Sequence, residues 1–350
     1  MFRGTRRVVT AFDPSAAALP GSGAYGLPTS ESDARFVLLP VPFDATTSYR
    51  RGTADGPAAI LEASRQVDLL DREVGEPYRA GIHMRDASTE VQAWNAEARA
   101  AADPVIEAAG VLDGSPDLVA KLARVNAVSE LVNARVHADA KALLDAGKIP
   151  VVVGGDHSTP FGAIQAYAER YPGLGVLHID AHADLRDAYE GFTFSHASIM
   201  HNVIERIPGV SKLVQVGVRD FGPGEAEFQA RHPHRIACFF DADLAEGKLG
   251  GTPFATLAAR IADALPPIVY VSFDIDGLDP TLCPSTGTPV PGGLSWHEAH
   301  LLLRLVADRR RIVGFDVNEV APGPDGDEWD ANVGARLIYK LIGWTLRSER

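Results

Sequence analysis

Short, continuously apolar runs recur along most of the chain, and longer stretches of helical character separate them. Seven of these runs have the length and composition of buried strands: Phe36–Pro40, Ile149–Val153, Gly175–Ile179, Leu213–Val218, Ile236–Phe240, Ile268–Phe273 and Ile312–Val317. Strands that are apolar on both faces are typical of parallel sheets that helices cover on both sides. The pattern therefore predicts an α/β fold with a mainly parallel central sheet.

Seven helices are predicted between and after these strands: Gly56–Arg65, Leu122–Ala146, Pro160–Arg170, Ser198–Arg206, Thr252–Ala264, Ser295–Ala307 and Asn332–Trp344. Capping signals mark several helix starts, such as Ser295 with Glu298 three residues later. The stretch Asp86–Asp117 is rich in Ala and Glu but only weakly periodic, so it receives no assignment.

The chain is predicted to consist of an N-terminal arm, residues 1–32, and a single catalytic domain, residues 33–350. Residues from Pro14 to Ser32 are rich in Pro, Gly, Ala and Ser, and no linker-like segment follows them. The basic start, Met1–Arg7, leads into no apolar segment, so a secretory signal is not expected. The two cysteines, Cys238 and Cys283, lie far apart, which fits a reducing cytoplasm.

The formal net charge of the 350 residues is −13. Apart from the start of the chain, only Arg309–Arg311 forms a cluster of basic residues, so a nucleic-acid partner is not expected. No apolar run is long enough to cross a bilayer, so a membrane partner is not expected either. An acidic surface would instead attract small cationic substrates.

Three polar motifs each follow a predicted strand. They are Gly154–Ser158, Asp180–Asp184 and Asp274–Pro280. In extended backbone, residues i, i+2 and i+4 point to the same side, so Asp180, His182 and Asp184 would present their side chains together. Because ligands of parallel sheets bind beyond the carboxyl ends of the strands, we expect the three motifs to form one site.

This clustering predicts a metal centre. A lone Asp-x-His is more often a helix cap beside a surface histidine, but three such motifs at three strand ends are unlikely to coincide by chance. Buried like charges are costly unless a cation neutralises them. Sets rich in carboxylate with a few imidazoles suit Mn(II) and similar ions, and the four aspartates and two histidines suffice for two ions.

On these motifs the sequence resembles the ureohydrolase family, which includes arginases, agmatinases and related guanidino-acid hydrolases. The resemblance extends from about Val41–Asp44 and Ser48–Thr53 to Leu341–Gly343, and it is strongest to agmatinase-type members. It implies a three-layer αβα sandwich that assembles as a homotrimer or homohexamer. It also implies two divalent ions, with Mn(II) preferred and Ni(II) or Co(II) as alternatives, that activate a water molecule for attack on a guanidinium carbon.

Carried over residue by residue, the resemblance implies a ligand set for each ion. One ion would be held by His157, Asp180, Asp184 and Asp274, and the other by His182, Asp276 and the bridging Asp180 and Asp274. Asp184 would also orient the attacking hydroxide.

Three further positions match the family. Glu319 resembles the glutamate that holds the guanidinium, and a carboxylate suits a planar cation with several N–H donors. His196 resembles a histidine that passes a proton to the leaving amine, although Ala197 stands where many relatives have Gly. Thr288 would line the substrate pocket. By contrast, His178 lies inside a predicted strand and is expected to be a core histidine with satisfied hydrogen bonds.

The substrate is less tightly constrained than the reaction. In arginases, Asn and Ser groups of the loop before the shuttle histidine bind the amino-acid end of the substrate. The corresponding loop here, Leu185–Ser195, contains no Asn, which argues against strict arginase specificity. Asp187 or Glu190 would suit a distal ammonium, whereas Arg186 would suit a carboxylate. Agmatine is the first candidate for the substrate, with arginine, guanidino acids and free guanidine as alternatives.

Two other classes of protein share part of this pattern. A metal-dependent deacetylase shares a related fold, but such enzymes typically use one zinc ion and a tandem His-His pair, which this sequence lacks. A scaffold without activity would leave the clustered carboxylates empty, and their mutual repulsion would destabilise the fold.

Overall fold

The computed structural model describes residues 12–350, so the first third of the predicted N-terminal arm, including the basic start, lies outside the described residues. Within this part of the chain, eight strands form one sheet. They are β1 (Phe36–Val41), β2 (Ile82–Met84), β3 (Ile149–Gly154), β4 (Leu174–Ile179), β5 (Val210–Val216), β6 (Ile236–Phe239), β7 (Ile268–Asp274) and β8 (Arg311–Asn318). Every neighbouring pair is parallel, in the order β2-β1-β3-β8-β7-β4-β5-β6.

Ten α-helices accompany the sheet in the described residues. They are α1 (Gly56–Ser64), α2 (Thr89–Glu107), α3 (Pro116–Asp145), α4 (Phe161–Arg170), α5 (Ile199–Arg206), α6 (Pro223–Arg231), α7 (Asp241–Leu249), α8 (Phe254–Ala264), α9 (Trp296–Ala307) and α10 (Trp329–Arg347). No helix within residues 12–350 combines the length and the apolar character that a bilayer-spanning segment needs.

Two apolar cores lie on opposite faces of the sheet. Because side chains alternate along a strand, Phe36 and Leu38 join the core under α1, α8, α9 and α10, whereas Val37 and Leu39 join the core under α3, α4 and α5. The predicted parallel sheet between two helical layers is therefore confirmed.

All seven predicted strands and all seven predicted helices are present, with shifted ends. The sequence patterns missed β2, α2, α6 and α7. Helix α2 occupies most of the unassigned stretch 86–117; the Ser88 side chain accepts a hydrogen bond from the Val91 N–H at its start, and Pro104 lies inside it. A proline there removes one helical hydrogen bond and obscures the helical pattern.

The described part of the predicted arm packs against the rest of the chain. The Tyr25 side chain is 3% exposed, its hydroxyl donates to the Ala335 carbonyl at 2.9 Å, and its ring lies 4.9 Å from that of Tyr339. The division into an arm of 1–32 and a catalytic domain of 33–350 stays a prediction.

Candidate metal centre

The three polar motifs meet at one edge of the sheet. Strands β3, β8, β7 and β4 are consecutive neighbours, so the chain segments that follow their carboxyl ends lie side by side. His157 follows β3, Asp180 follows β4, and Asp274 is the last residue of β7. The parallel register thus brings together residues that are more than a hundred positions apart in the sequence.

A first group of ligand atoms surrounds His157. Its Nδ1 atom lies 3.0 Å from Asp180 Oδ2, 3.2 Å from Asp274 Oδ2 and 3.5 Å from Asp184 Oδ2. These four side chains are at most 5% exposed. His178 joins them from the strand, with Nε2 at 2.8 Å from Asp180 Oδ2. It is fully buried and hydrogen-bonded, as expected for a core histidine, and its ligand atom lies within 4.8 Å of those of His157, Asp180 and Asp184.

A second group forms around His182. Its Nδ1 atom lies 3.1 Å from Asp276 Oδ2 and 3.4 Å from Asp180 Oδ1. The two oxygens of Asp180 thus face the two groups, one oxygen to each; a role of Asp180 in bridging two ions stays a prediction. Asp274 lies against His157 and accepts the backbone N–H of Asp276 at 2.9 Å; its bridging role stays a prediction.

The electrostatics of the cluster fit a bound cation. Burial, together with repulsion from Asp180, raises the pKa of Asp184 well above its usual range. Burial and the charges of Asp276 and Asp180 do the same for the pKa of Asp274. Burial alone would raise the pKa of Asp180, but His178 and His157 hold it well below its usual value. Divalent cations would remove this repulsion between buried carboxylates, and carboxylate and imidazole donors suit Mn(II) and its neighbours.

The backbone fixes the carboxylates in place. Asp180 Oδ1 accepts the N–H of His182 at 2.6 Å, and Asp276 Oδ1 accepts the N–H of Ala181 at 3.0 Å. Gly277 sits against this turn so closely that a Cβ atom would lie 2.7 Å from the Asp180 nitrogen. Asp184 has φ of +54°, a left-handed conformation that side chains rarely adopt and that is common at functional sites.

Glu319 lies beside the first group. Its Oε1 accepts the backbone N–H of His157 at 2.9 Å, and its backbone carbonyl accepts the Thr286 hydroxyl at 2.8 Å. Like Asp184, Glu319 has a left-handed backbone conformation, with φ of +61°. Burial and the charges of Asp274 and Asp156 raise the pKa of the Glu319 carboxyl well above its usual range.

A cavity of about 200 Å³ opens beside the cluster. His182, Asp184, His196 and Thr288 are among its lining residues. Burial and the nearby charge of His182 lower the pKa of His196 to about 4, and its Nδ1 atom is buried without a hydrogen-bond partner in the described residues. The Tyr189 ring lies edge-on at 5.9 Å.

Of the loop residues weighed for substrate recognition, only Arg186 lines this cavity. Its guanidinium lies 5.0 Å from the centre of the Tyr189 ring, and its Nε atom is 3.6 Å from Glu225 Oε2. The Asp187 side chain is 94% exposed and points toward His201. Among the described residues that line the cavity, Glu190 is not included.

The sequence patterns missed the outer part of the cavity. Ser48, Tyr49, Asp220, Phe221 and Glu225 complete its wall. Three of them lie in the segment after β5, where the run Gly217 to Glu225 contains three glycines and a proline. A Gly/Pro-rich segment at the carboxyl end of a parallel strand was a usable signal for a site loop.

A second, larger cavity of about 1110 Å³ lies elsewhere. Its wall includes Arg311, the first residue of β8, and so it opens at the amino ends of the strands, away from the metal-ligand candidates.

Comparisons with known proteins agree with the fold. The model of the arginase family matches residues 34–343. N(1)-aminopropylagmatine ureohydrolase of Thermus thermophilus is 34% identical over 90% of this chain and 92% of its own. Agmatinase of Klebsiella pneumoniae is 33% identical over 89% of this chain and 88% of its own. The solved structure of proclavaminate amidino hydrolase from Streptomyces clavuligerus superposes with a TM-score of 0.72 at 25% identity, covering 95% of this chain and all of the other, 100%.

Proposed function

The chain belongs to the arginase family and is a ureohydrolase that acts on a guanidino C–N bond, and on this premise we propose that it hydrolyses agmatine to putrescine and urea. The observation that carries the proposal is the convergence of buried aspartates and histidines on Asp180, directly beside a cavity. The cavity gives a guanidinium access to the carboxylates.

The proposed cofactor is a pair of divalent ions, Mn(II) first, with Ni(II) or Co(II) as alternatives. His157, Asp180, Asp184 and Asp274 would hold one ion, and His182, Asp276, Asp180 and Asp274 the other. When bound, the ions supply Lewis acidity and lower the pKa of a water molecule so that it attacks near neutral pH.

The surrounding side chains orient the substrate and move protons. The Glu319 carboxylate accepts hydrogen bonds from the guanidinium, and the Asp184 carboxylate orients the attacking water. That water adds to the guanidinium carbon, the bond from this carbon to the alkyl-bearing nitrogen breaks, and His196 delivers a proton to the leaving nitrogen. The products are urea and a protonated amine. The low pKa of His196 keeps its ring neutral in the metal-free protein, so the ring has an acceptor nitrogen available for a proton in transit.

The cavity wall supports a substrate with a distal cation. Asp220 lines the outer cavity and makes no ion pair with any residue that the structure describes. The charge of Arg186 is balanced by Glu225 and rests on the Tyr189 ring, which leaves Asp220 as the free charge near the mouth. An exposed carboxylate there would attract the ammonium of agmatine or of a longer amine.

A guanidino acid is the second candidate substrate, because the Arg186 guanidinium faces the cavity and would pair with a substrate carboxylate in exchange for its 3.6 Å contact with Glu225. We further propose a cytoplasmic homotrimer or homohexamer.

A urea-release assay tests the proposal. The purified chain, loaded with Mn(II), Ni(II) or Co(II), is given agmatine, N(1)-aminopropylagmatine, arginine, guanidinobutyrate, guanidinopropionate or guanidine. We expect the highest kcat/KM with agmatine. Higher kcat/KM with a guanidino acid would support the second candidate, and no urea from any of them would refute the proposal. Chelator-treated protein is the matched control, and returning the metal should restore turnover.

A further inference from the structure

Two buried imidazoles contact the same oxygen of Asp180. His157 approaches Oδ2 with Nδ1 at 3.0 Å, and His178 approaches it with Nε2 at 2.8 Å. Their ring centres are 5.1 Å apart. By distance alone, either ring would serve as a ligand to an ion next to Asp180, and the hydrogen bonds behind each ring decide between them.

Gln215 of β5 determines which nitrogen of His178 carries the proton. The Gln215 Nε2 atom lies 2.7 Å from the Ala183 carbonyl oxygen and 3.0 Å from His178 Nδ1. A carbonyl oxygen only accepts, so the atom that faces it must be the amide nitrogen, and its second hydrogen points to Nδ1. His178 Nδ1 is therefore the acceptor, and the ring proton sits on Nε2, which donates to Asp180.

A different pair of side chains stands behind His157. Its Nε2 atom lies 2.9 Å from the Ser272 hydroxyl oxygen, which donates its own hydrogen to Asp316 Oδ1 at 3.0 Å. Asp316 Oδ1 also accepts from the Asn318 amide at 2.5 Å and the Phe273 N–H at 3.2 Å, so it acts purely as an acceptor. The single hydroxyl hydrogen of Ser272 is thus already donated, and Ser272 receives the Nε2 proton of His157. Nδ1 is therefore the His157 nitrogen that faces the carboxylates, and it becomes available to an ion once it gives up its proton.

We propose that His178 is a positioning residue that donates a hydrogen bond to Asp180 and binds no ion, unlike His157, which the proposed function already takes as a ligand. Gln215 acts through His178, and Ser272 with Asp316 acts through His157. Groups that hold ligands in this way orient them and tune metal affinity. The inference rests on the proposed two-ion hydrolase.

Metal stoichiometry distinguishes a ligand from a donor. His178→Asn and His157→Asn are prepared together with His300→Asn, which replaces a buried histidine of α9 that belongs to none of the three motifs. Bound Mn(II) per chain is measured by elemental analysis, and affinity by competition with a chelating dye. We expect His178→Asn to keep two ions at roughly 10- to 100-fold lower affinity, as is typical when a supporting group is lost. His157→Asn should lose one ion, and His300→Asn should match the wild type.

Loss of an ion from His178→Asn, with two ions in the wild type, would overturn the inference while leaving the proposed function standing. A wild-type chain that binds no divalent ion would instead refute the proposed function.

A spectroscopic measurement on the wild-type protein does not depend on whether any variant folds. With Zn(II) as a diamagnetic probe, ¹⁵N NMR of the histidine rings reports which nitrogen carries hydrogen. We expect His178 to show a protonated Nε2 and a bare Nδ1, and a metal-bound Nε2 would contradict the assignment. Ser272→Ala should weaken Mn(II) binding while Tm of the metal-free protein changes little, and Ser272→Thr, which keeps the hydroxyl, should restore affinity. Equal affinity in Ser272→Ala and the wild type would exclude the Ser272 role.

Discussion

Replacing Arg99 should loosen the wall of the substrate cavity while leaving the metal ligands intact. Arg99 of α2 pairs with Asp44, whose side chain is completely buried, through a hydrogen bond of 2.5 Å from Nε and a second contact from the other guanidinium nitrogen. Asp44 also accepts the N–H groups of Gly52 and Ala54, each at 3.2 Å. The pair therefore holds the loop that carries Ser48 and Tyr49 of the cavity wall.

Removing one partner of a buried ion pair costs about 3–5 kcal/mol. The Arg99 side chain is 32% exposed and Asp44 keeps its backbone donors, so we place the loss for Arg99→Met below that range, at about 2–3 kcal/mol. The free energy of unfolding would be measured with urea, and KM and kcat with agmatine. We expect KM to rise more than kcat falls, with two ions still bound per chain.

Arg51→Met is the matched control, because Arg51 joins the same loop to Asp103 of the same helix through a more exposed pair, with side chains 30% and 49% exposed. Its loss should be under about 1 kcal/mol. Equal losses for the two variants, or loss of metal from Arg99→Met, would refute the reasoning.

Three further perturbations address the metals, the guanidinium and the core. Asp180→Asn should abolish metal retention and urea release, because Asp180 faces both ligand groups; normal content in elemental analysis would count against its bridging role. Glu319→Gln should raise KM for the guanidinium with both ions retained, and loss of metal would show that Glu319 has been misassigned. His300, buried without hydrogen-bond partners in the described residues, has its pKa lowered to about 3 by burial. Because the unfolded ring protonates first, the free energy of unfolding should fall by about 1.4 kcal/mol per unit as pH drops from about 6.5 toward 3. Urea unfolding of His300→Leu should lack this slope, and an unchanged slope would assign it to other groups.

The sequence was sufficient for the parallel sheet and most of the helices, and the residues that it proposed as metal ligands lie together at one edge of that sheet. The strands are continuously apolar, and each polar motif begins where one of them ends. Their order in the sheet, which sets β8 between β3 and β7, depends on long-range pairing that no local pattern encodes. The order matters for the site because it brings Asp316 of β8 behind Ser272 of β7.

Other features could not be predicted from the sequence because they depend on tertiary contacts. Helix α2 packs against α3 and is joined to Asp44 through Arg99, and neither contact can be read from its own weakly periodic sequence. The edge strand β2 has three residues, too few for a pattern. The hydrogen bond from Gln215 to His178 joins the adjacent strands β5 and β4, and the local sequence of neither strand predicts it.

The cavity is assembled from two independent sources. Its floor consists of residues fixed at the ends of central strands, whereas its mouth is formed by loops that follow β1 and β5, one of them tied to α2 by an ion pair. Evolution can therefore exchange the mouth, and with it the molecule that enters, without disturbing the chemistry below. In related enzymes, substrate specificity should change through insertions and substitutions in the two loops, while the residues at the strand ends stay the same.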